Sequence, residues 1–389
     1  MKKFLLLSIY FIIILLTNEF YRNKLFKYSY NSFEGNFQKS ISKIFKYYFY
    51  FFTFLGNEYG LIPIFLIIIY ISVDLFFILL TIFSFSLYFN GFLKLIYYSP
   101  RPFWMNNDLF QYCETGYGNP SGHAMISTTF YLGILDIIIQ RKKFKKSLIK
   151  NILKIIVFFI IFNIMLSRIY FGVHSIDQVI YGFLFGLGFY YFFFEIIQIQ
   201  NFRSNKFIIY LLGNKLYIIF IYIISILVSF IFLIFIDYNS KNEEYKLNIM
   251  GLCPNSKEYR TFHYEAYYSI FISFGWLGCF LGYIFLNNII SIENNNEDIV
   301  YDWYKNKFKI KIIRIGIFFL TSLPCGIFFL FNIKSTIKIF LFKTIIPAIL
   351  GGFCLFGPGI YFELLFVKKY FISKNINYNA IQNSIDITV

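Results

Sequence analysis

Residues 74–98 read DLFFILLTIFSFSLYFNGFLKLIYY, with no charged side chain between Leu75 and Leu93. A run of this length crosses the hydrocarbon core of a bilayer, which takes about 20 apolar residues. In lipid no water is available to the backbone, so its N–H and C=O groups must bond within the segment, and the run is a helix. Further apolar runs lie at 47–73, 123–140, 151–170, 177–198, 207–236, 266–287, 311–332 and 337–366. The expectation is an all-α protein, a polytopic membrane helix bundle of about nine transmembrane helices. Asp74 marks the turn between the first two.

Composition agrees. Of 389 residues, 58% are hydrophobic and 14% charged, against about 25% charged in a typical soluble domain. There is too little polar surface to coat a water-soluble globule. With 56 Phe and 34 Tyr in the chain, a single aromatic says little about function. The net charge of +16 sits mostly in short Lys/Arg runs between apolar stretches. That is the pattern of cytosolic loops under the positive-inside rule, not of a nucleic-acid stripe. Five Cys are too few and too scattered for a disulfide framework or a zinc site.

The strongest basic cluster is RKKFKKSLIK at 141–150, which places that loop in the cytosol. Parity makes the loop with Arg203, Lys206 and Lys215 cytosolic too, along with Lys368 and Lys369. The loop at 237–264 then faces the other side. Residues 1–17 open with Lys2 and Lys3 and a short apolar run, a signal-like or anchor segment with no obvious small-residue cleavage site.

Three short blocks carry chemistry. Lys94 and Arg101 offer a point charge and a planar fork, a pair suited to a phosphoryl group. Their bland reading is a basic helix end snorkelling to headgroups. Pro120-Ser121-Gly122-His123 stands before a long apolar helix. Free N–H groups at such a start make an anion cradle, although Ser121 would also serve as an ordinary N-cap. Arg168 and His174, six residues apart, would point to different faces of a straight helix. Gly172 offers a break between them, and Ser175 can cap a new helix. Parity puts all three blocks on one membrane face, opposite RKKFKK.

The order K-x6-RP, PSGH, SR-x5-H resembles the type-2 phosphatidic acid phosphatase superfamily, which includes the vanadium haloperoxidases. Within it, the glucose-6-phosphatases look most similar, through RPFW (101–104), CETGYGNPSGHAM (113–125) and LSRIYFGVHSIDQVIYG (166–182). The resemblance places the catalytic region within about 60–200, so a catalytic core is expected over 47–200; the apolar runs and basic residues add transmembrane helices over 201–366 and a cytosolic tail at 367–389. The superfamily usually carries an acid four residues after the last His. Here Gln178 holds that place, as in glucose-6-phosphatases, while Asp177 at i+3 is in reach of His174 on a helix surface.

The same resemblance implies two-step phosphoryl transfer without cofactor or metal. His174 attacks phosphorus, and His123 protonates the leaving oxygen and then activates water. Lys94, Arg101 and Arg168, with the N–H groups of Ser121 and Gly122, hold the equatorial oxygens. The expected substrate is glucose 6-phosphate or a similar sugar phosphate, hydrolysed at the lumenal face of the endoplasmic reticulum. A lipid-phosphate phosphatase for sphingoid-base phosphate or phosphatidic acid is the alternative. A transporter or channel is disfavoured, because charges inside spans and inverted repeats are not evident. Cys113 and Cys253 both fall on the non-cytosolic side, where oxidation is allowed. A disulfide between them and two free thiols are both open readings.

Overall fold

The computed structural model describes residues 2–41, 45–71, 73–109, 113–114, 116–141, 147–197, 210–211, 213–239, 253, 264–293, 344–354 and 356–357. Among these, every regular element is helical. In order they are α1 (Lys2–Tyr28), α2 (Glu34–Ser40), α3 (Phe45–Gly56), α4 (Glu58–Ile71), α5 (Val73–Tyr97) and a one-turn α6 (Pro102–Met105). There follow α7 (Gly122–Arg141), α8 (Ser147–Tyr170), α9 (Ile176–Tyr191), α10 (Lys215–Asn239), α11 (Tyr264–Ile272), α12 (Gly275–Glu293) and α13 (Ile346–Cys354). Seven helical stretches among the described residues are long and apolar enough to cross a membrane. The chain is a polytopic helical membrane protein.

Two segments differ from the sequence reading in detail. The apolar run at 47–73 is not one helix but two, α3 and α4, parted at Asn57. At 12 and 14 residues and about 1.5 Å per residue, each is shorter than a bilayer core. The turn is tight: the Asn57 N–H donates to Phe54 O at 3.2 Å, and Gly60 N–H to Asn57 O at 3.2 Å. At the N-terminus the helix does not stop near residue 17 but runs to Tyr28. The run at 311–332, the tail at 367–389 and most of the basic loop after Arg141 lie outside the described residues.

The main apolar core joins α3, α5, α7 and α8 with α12, through Phe77, Ile82, Phe130, Ile161, Ile164 and Phe280. Between membrane helices there is little hydrophobic drive, so close approach depends on small residues and cross-helix hydrogen bonds. α7 and α9 meet in this way. A Cβ on Gly182 would lie 3.1 Å from Ala124 Cβ, and one on Gly186 would lie 2.6 Å from Met125 O. Thr129 Oγ1, besides bonding its own helix, donates to Gly186 O at 3.1 Å. α1 packs on α9, with Phe11 stacked on Phe185 and Tyr10 OH donating to Leu184 O at 2.8 Å. These contacts fix the starts of α7 and α9 against one another.

Candidate active site

α5 ends at Tyr97, α7 begins at Gly122, and α8 and α9 are joined by the turn at 171–175. The three sequence blocks therefore gather at one end of the bundle. The α8–α9 turn is built as its sequence suggests. Gly172 adopts φ +65°, the left-handed region that favours glycine. That reversal lets Arg168 and His174 converge instead of facing apart. The His174 N–H closes the turn on Arg168 O at 3.3 Å.

Lys94, Glu114, Gly122, His123 and His174 line a single cavity of about 400 Å³. Its wall also takes in Gly56 and Asn57 from the α3–α4 turn, Asn90 from α5, and Glu265, Tyr268 and Ser269 from α11, with Leu61, Phe83, Leu87 and Ile126 forming an apolar part. Arg101 is fully buried beside it, and its Nη1 lies 3.3 Å from His174 Nε2. Arg168 is 1% exposed and pairs with Glu114.

The neighbours of His174 determine its tautomer. Nδ1 lies 2.8 Å from Gly118 O, an acceptor only, so Nδ1 carries the proton. Nε2 faces the Arg101 guanidinium, a donor only, so it presents a lone pair. Burial pushes the imidazole well below its ordinary value, and the charges of Arg101 and Arg168 add to this. The ring is therefore neutral near neutral pH and nucleophilic at Nε2.

Gln178 secures that arrangement. Its Nε2 donates to Pro100 O at 2.7 Å, and its Oε1 accepts from the Ser175 N–H at 3.3 Å and lies 3.3 Å from His174 Nδ1. Its backbone carbonyl accepts the Ser121 N–H at 2.9 Å, which ties the start of α9 to the PSGH block. Asp177 does not turn to His174; its carboxylate accepts from Ser175 Oγ. The reach expected of Asp177 fails because Ser175, the cap of α9, takes that carboxylate first. The Ser121 N–H, expected to face an anion, is also spent on Gln178.

Several side-chain atoms here have no partner among the described residues. Ser121 Oγ, His123 Nε2 and Arg168 Nε are buried without a hydrogen bond there. The side chain of Lys94, 6% exposed, makes no hydrogen bond or ion pair among the described residues. Buried polar groups are rarely left so. Lys94, Ser121, His123 and Arg168 thus bring together the kind of polar groups that a phosphoryl anion takes.

Three contributors were not singled out by the sequence reading. Gly118 lends only a carbonyl, which no side-chain pattern reveals. Glu265 begins α11, far along the chain, and accepts from Arg101 Nη2 at 3.1 Å. Glu114 lay within the quoted Cys113–Gly116 run without a role. A further bond arrives from the N-terminus, where Ser29 Oγ accepts the free Ile176 N–H at 3.0 Å. Cys113 and Cys253 are joined by a disulfide. It links the loop carrying Glu114 to the segment just before α11.

Residues 75–202, which hold all three blocks, match the family model of the PAP2 superfamily. One solved structure is similar, that of the first transmembrane PAP2 type phosphatidylglycerolphosphate phosphatase from Bacillus subtilis. It shares 22% identity at a TM-score of 0.41, over 51% of this chain and 97% of that one. No curated protein matches this chain in sequence.

Proposed function

We propose that this chain is an integral-membrane phosphomonoesterase that hydrolyses glucose 6-phosphate, or a similar sugar phosphate, through a phosphohistidine at His174. The observation that carries the reading is the His174 ring: its Nδ1–H is spent on Gly118 O, and its Nε2 lone pair meets Arg101 beside the cavity. Nε2 attacks phosphorus as the bond from phosphorus to the sugar oxygen breaks, and His123 gives that oxygen a proton. Water then attacks the phosphohistidine, His123 takes its proton, and the N–P bond breaks to release inorganic phosphate. Two easier displacements replace one difficult one. Lys94, Arg101 and Arg168 hold the phosphoryl oxygens, together with Ser121 Oγ and the N–H of Gly122. Positioned charge of this kind supplies most of the catalysis in phosphoryl transfer.

The sugar-phosphate assignment is supported by the Cys113–Gly116 run, by Gln178 in place of an acid, and by the polar residues in the cavity lining. Asn57, Asn90, Glu265 and Ser269 offer hydrogen-bonding groups suited to hydroxyls. A non-cytosolic, lumenal site is supported by the basic sequence at 141–150, which the positive-inside rule assigns to the cytosolic side; the endoplasmic reticulum is the membrane proposed. One assay tests substrate and sidedness together. Phosphate release is measured from glucose 6-phosphate, sphingoid-base phosphate and phosphatidic acid, in sealed and then permeabilised membranes. The expected result is release from glucose 6-phosphate that permeabilisation increases. Release from the lipid substrates alone would replace the sugar reading with a lipid one.

A further inference from the structure

Arg101 and Arg168 approach from two sides and meet on one carboxylate. Glu114 Oε2 pairs with Arg101 Nη1, and Glu114 Oε1 pairs with Arg168 Nη2. Arg101 Nη1 is also the nitrogen that faces the nucleophilic Nε2 of His174 at 3.3 Å. The Glu114 carboxylate thus stands where two phosphoryl oxygens would stand during attack. A carboxylate and a phosphoryl group present the same paired-oxygen edge to a guanidinium.

Burial explains why an internal anion is needed. Arg101 and Arg168 are almost wholly buried, and Lys94 lies beside them at 6% exposed. A buried cation without a counter-ion costs several kcal/mol. Glu114 supplies the countercharge for both arginines, and Glu265 supplies a second one to Arg101 Nη2 at 3.1 Å. Burial alone would raise the Glu114 carboxyl, but Arg101 and Arg168 overcome this and hold it well below the usual carboxylate range. It is therefore charged at any pH at which the enzyme would work.

Most of the other N–H groups of Arg101 are already engaged. Nε donates to Gly116 O, and Nη1 also donates to Val173 O at 3.0 Å. A phosphoryl dianion cannot take the inner guanidinium edges while Glu114 keeps them, because two anions would then share one place. Glu114 is on a short loop bounded by the Cys113–Cys253 disulfide, and its side chain lines the open cavity.

We propose that Glu114 is a built-in phosphate surrogate, which holds Arg101 and Arg168 between turnovers and must be displaced by the phosphoryl group of the substrate. This rests on the phosphatase reading above. Glu114 therefore weakens the binding of every phosphoryl ligand and helps to expel inorganic phosphate after turnover. It acts as a positioning and selectivity residue and takes no part in bond making.

The test is direct binding of vanadate and of inorganic phosphate to the full-length protein in nanodiscs, by titration calorimetry. Glu114→Gln keeps the shape and removes the competing charge. It is expected to bind both anions about tenfold more tightly than the parent, a change worth about 1.4 kcal/mol, while phosphate release slows. Misfolding would not tighten binding, so tighter binding separates this role from a structural one. If Glu114→Gln does not fold, Glu114→Asp retains the charge but is too short to reach both arginines, and it too is expected to bind more tightly. Parent-like or weaker binding in the folded variant overturns the surrogate role. Absence of binding in the parent itself overturns the phosphatase reading and the surrogate role with it.

Discussion

His174 Nδ1 lies 2.8 Å from the backbone carbonyl of Gly118. That bond does the work that a carboxylate does in many catalytic histidine pairs: it fixes the tautomer and aims Nε2. A carbonyl is neutral, so it orients the ring without raising its basicity as a carboxylate would. The buried ring stays neutral, with its lone pair available.

Gln178 stands behind this bond, holding Pro100 O and the Ser175 N–H. Gln178→Ala is expected to lower kcat roughly 10- to 100-fold, the scale typical of lost orienting partners, with little change in KM. A steady-state comparison checks this. Equal loss in Asp177→Ala and none in Gln178→Ala would reverse the assignment.

The α7–α9 contact depends on the absence of side chains. In Gly186→Ala the new Cβ would meet Met125 O at 2.6 Å and Thr128 Cβ at 2.8 Å. Overpacking of this kind costs about 1–3 kcal/mol, so a lower melting temperature and reduced activity are expected. Gly351→Ala, with open space around its Cβ position, serves as the control and should melt like the parent.

The contributions of His174 and Glu114 to stability should fall on acidification. The unfolded chain protonates His174 near its ordinary value of 6.5, whereas burial, Arg101 and Arg168 hold the folded group well below it. Between those two values the unfolded state binds more protons, so stability is lost as the pH drops below about 6.5. Glu114 acts in the same direction at lower pH. Held below its ordinary 4.5 mainly by Arg101 and Arg168, against the effect of burial, it stabilises the fold above that value and ceases to do so as the pH falls. The melting temperature of the parent minus that of His174→Asn, measured from pH 8 to pH 4, should therefore fall as the pH drops below about 6.5. A difference that stays constant from pH 7 to pH 5 contradicts the buried neutral ring.

The Cys113–Cys253 bond closes a loop with a sequence separation of 140. Cys113→Ser is expected to cost roughly 2–4 kcal/mol and to reduce activity, since the bond anchors the loop that carries Glu114 and Gly116. Reductant should reproduce the loss in the parent and leave Cys253→Ser unaffected. Thermal melts with and without reductant decide the matter.

The helical membrane architecture was legible because lipid allows only helices to satisfy a run such as 75–93. The gathering of Lys94, Arg101, His123, Arg168 and His174 was legible from helix parity and from Gly172 as a break. The turn at Asn57 was missed because the apolar residues on both sides of it read as one run, although Gly56-Asn57-Glu58-Tyr59-Gly60 interrupts them. The roles of Gly118 and Glu265 were hidden for different reasons. One acts through its backbone, and the other reaches the site only through the packing of α11 on α5. Asp177 was misleading because spacing on a helix puts a side chain within reach of several partners, and Ser175 is the nearer one.

The most direct test is to trap the covalent intermediate. Full-length protein is mixed with phosphate-labelled glucose 6-phosphate, quenched within the first turnover and mapped by mass spectrometry under alkaline conditions, which preserve phosphohistidine. The expected result is label on Nε2 of His174, absent from His174→Ala, which should also release no phosphate. Label on His123, or undiminished phosphate release from His174→Ala, would contradict the account.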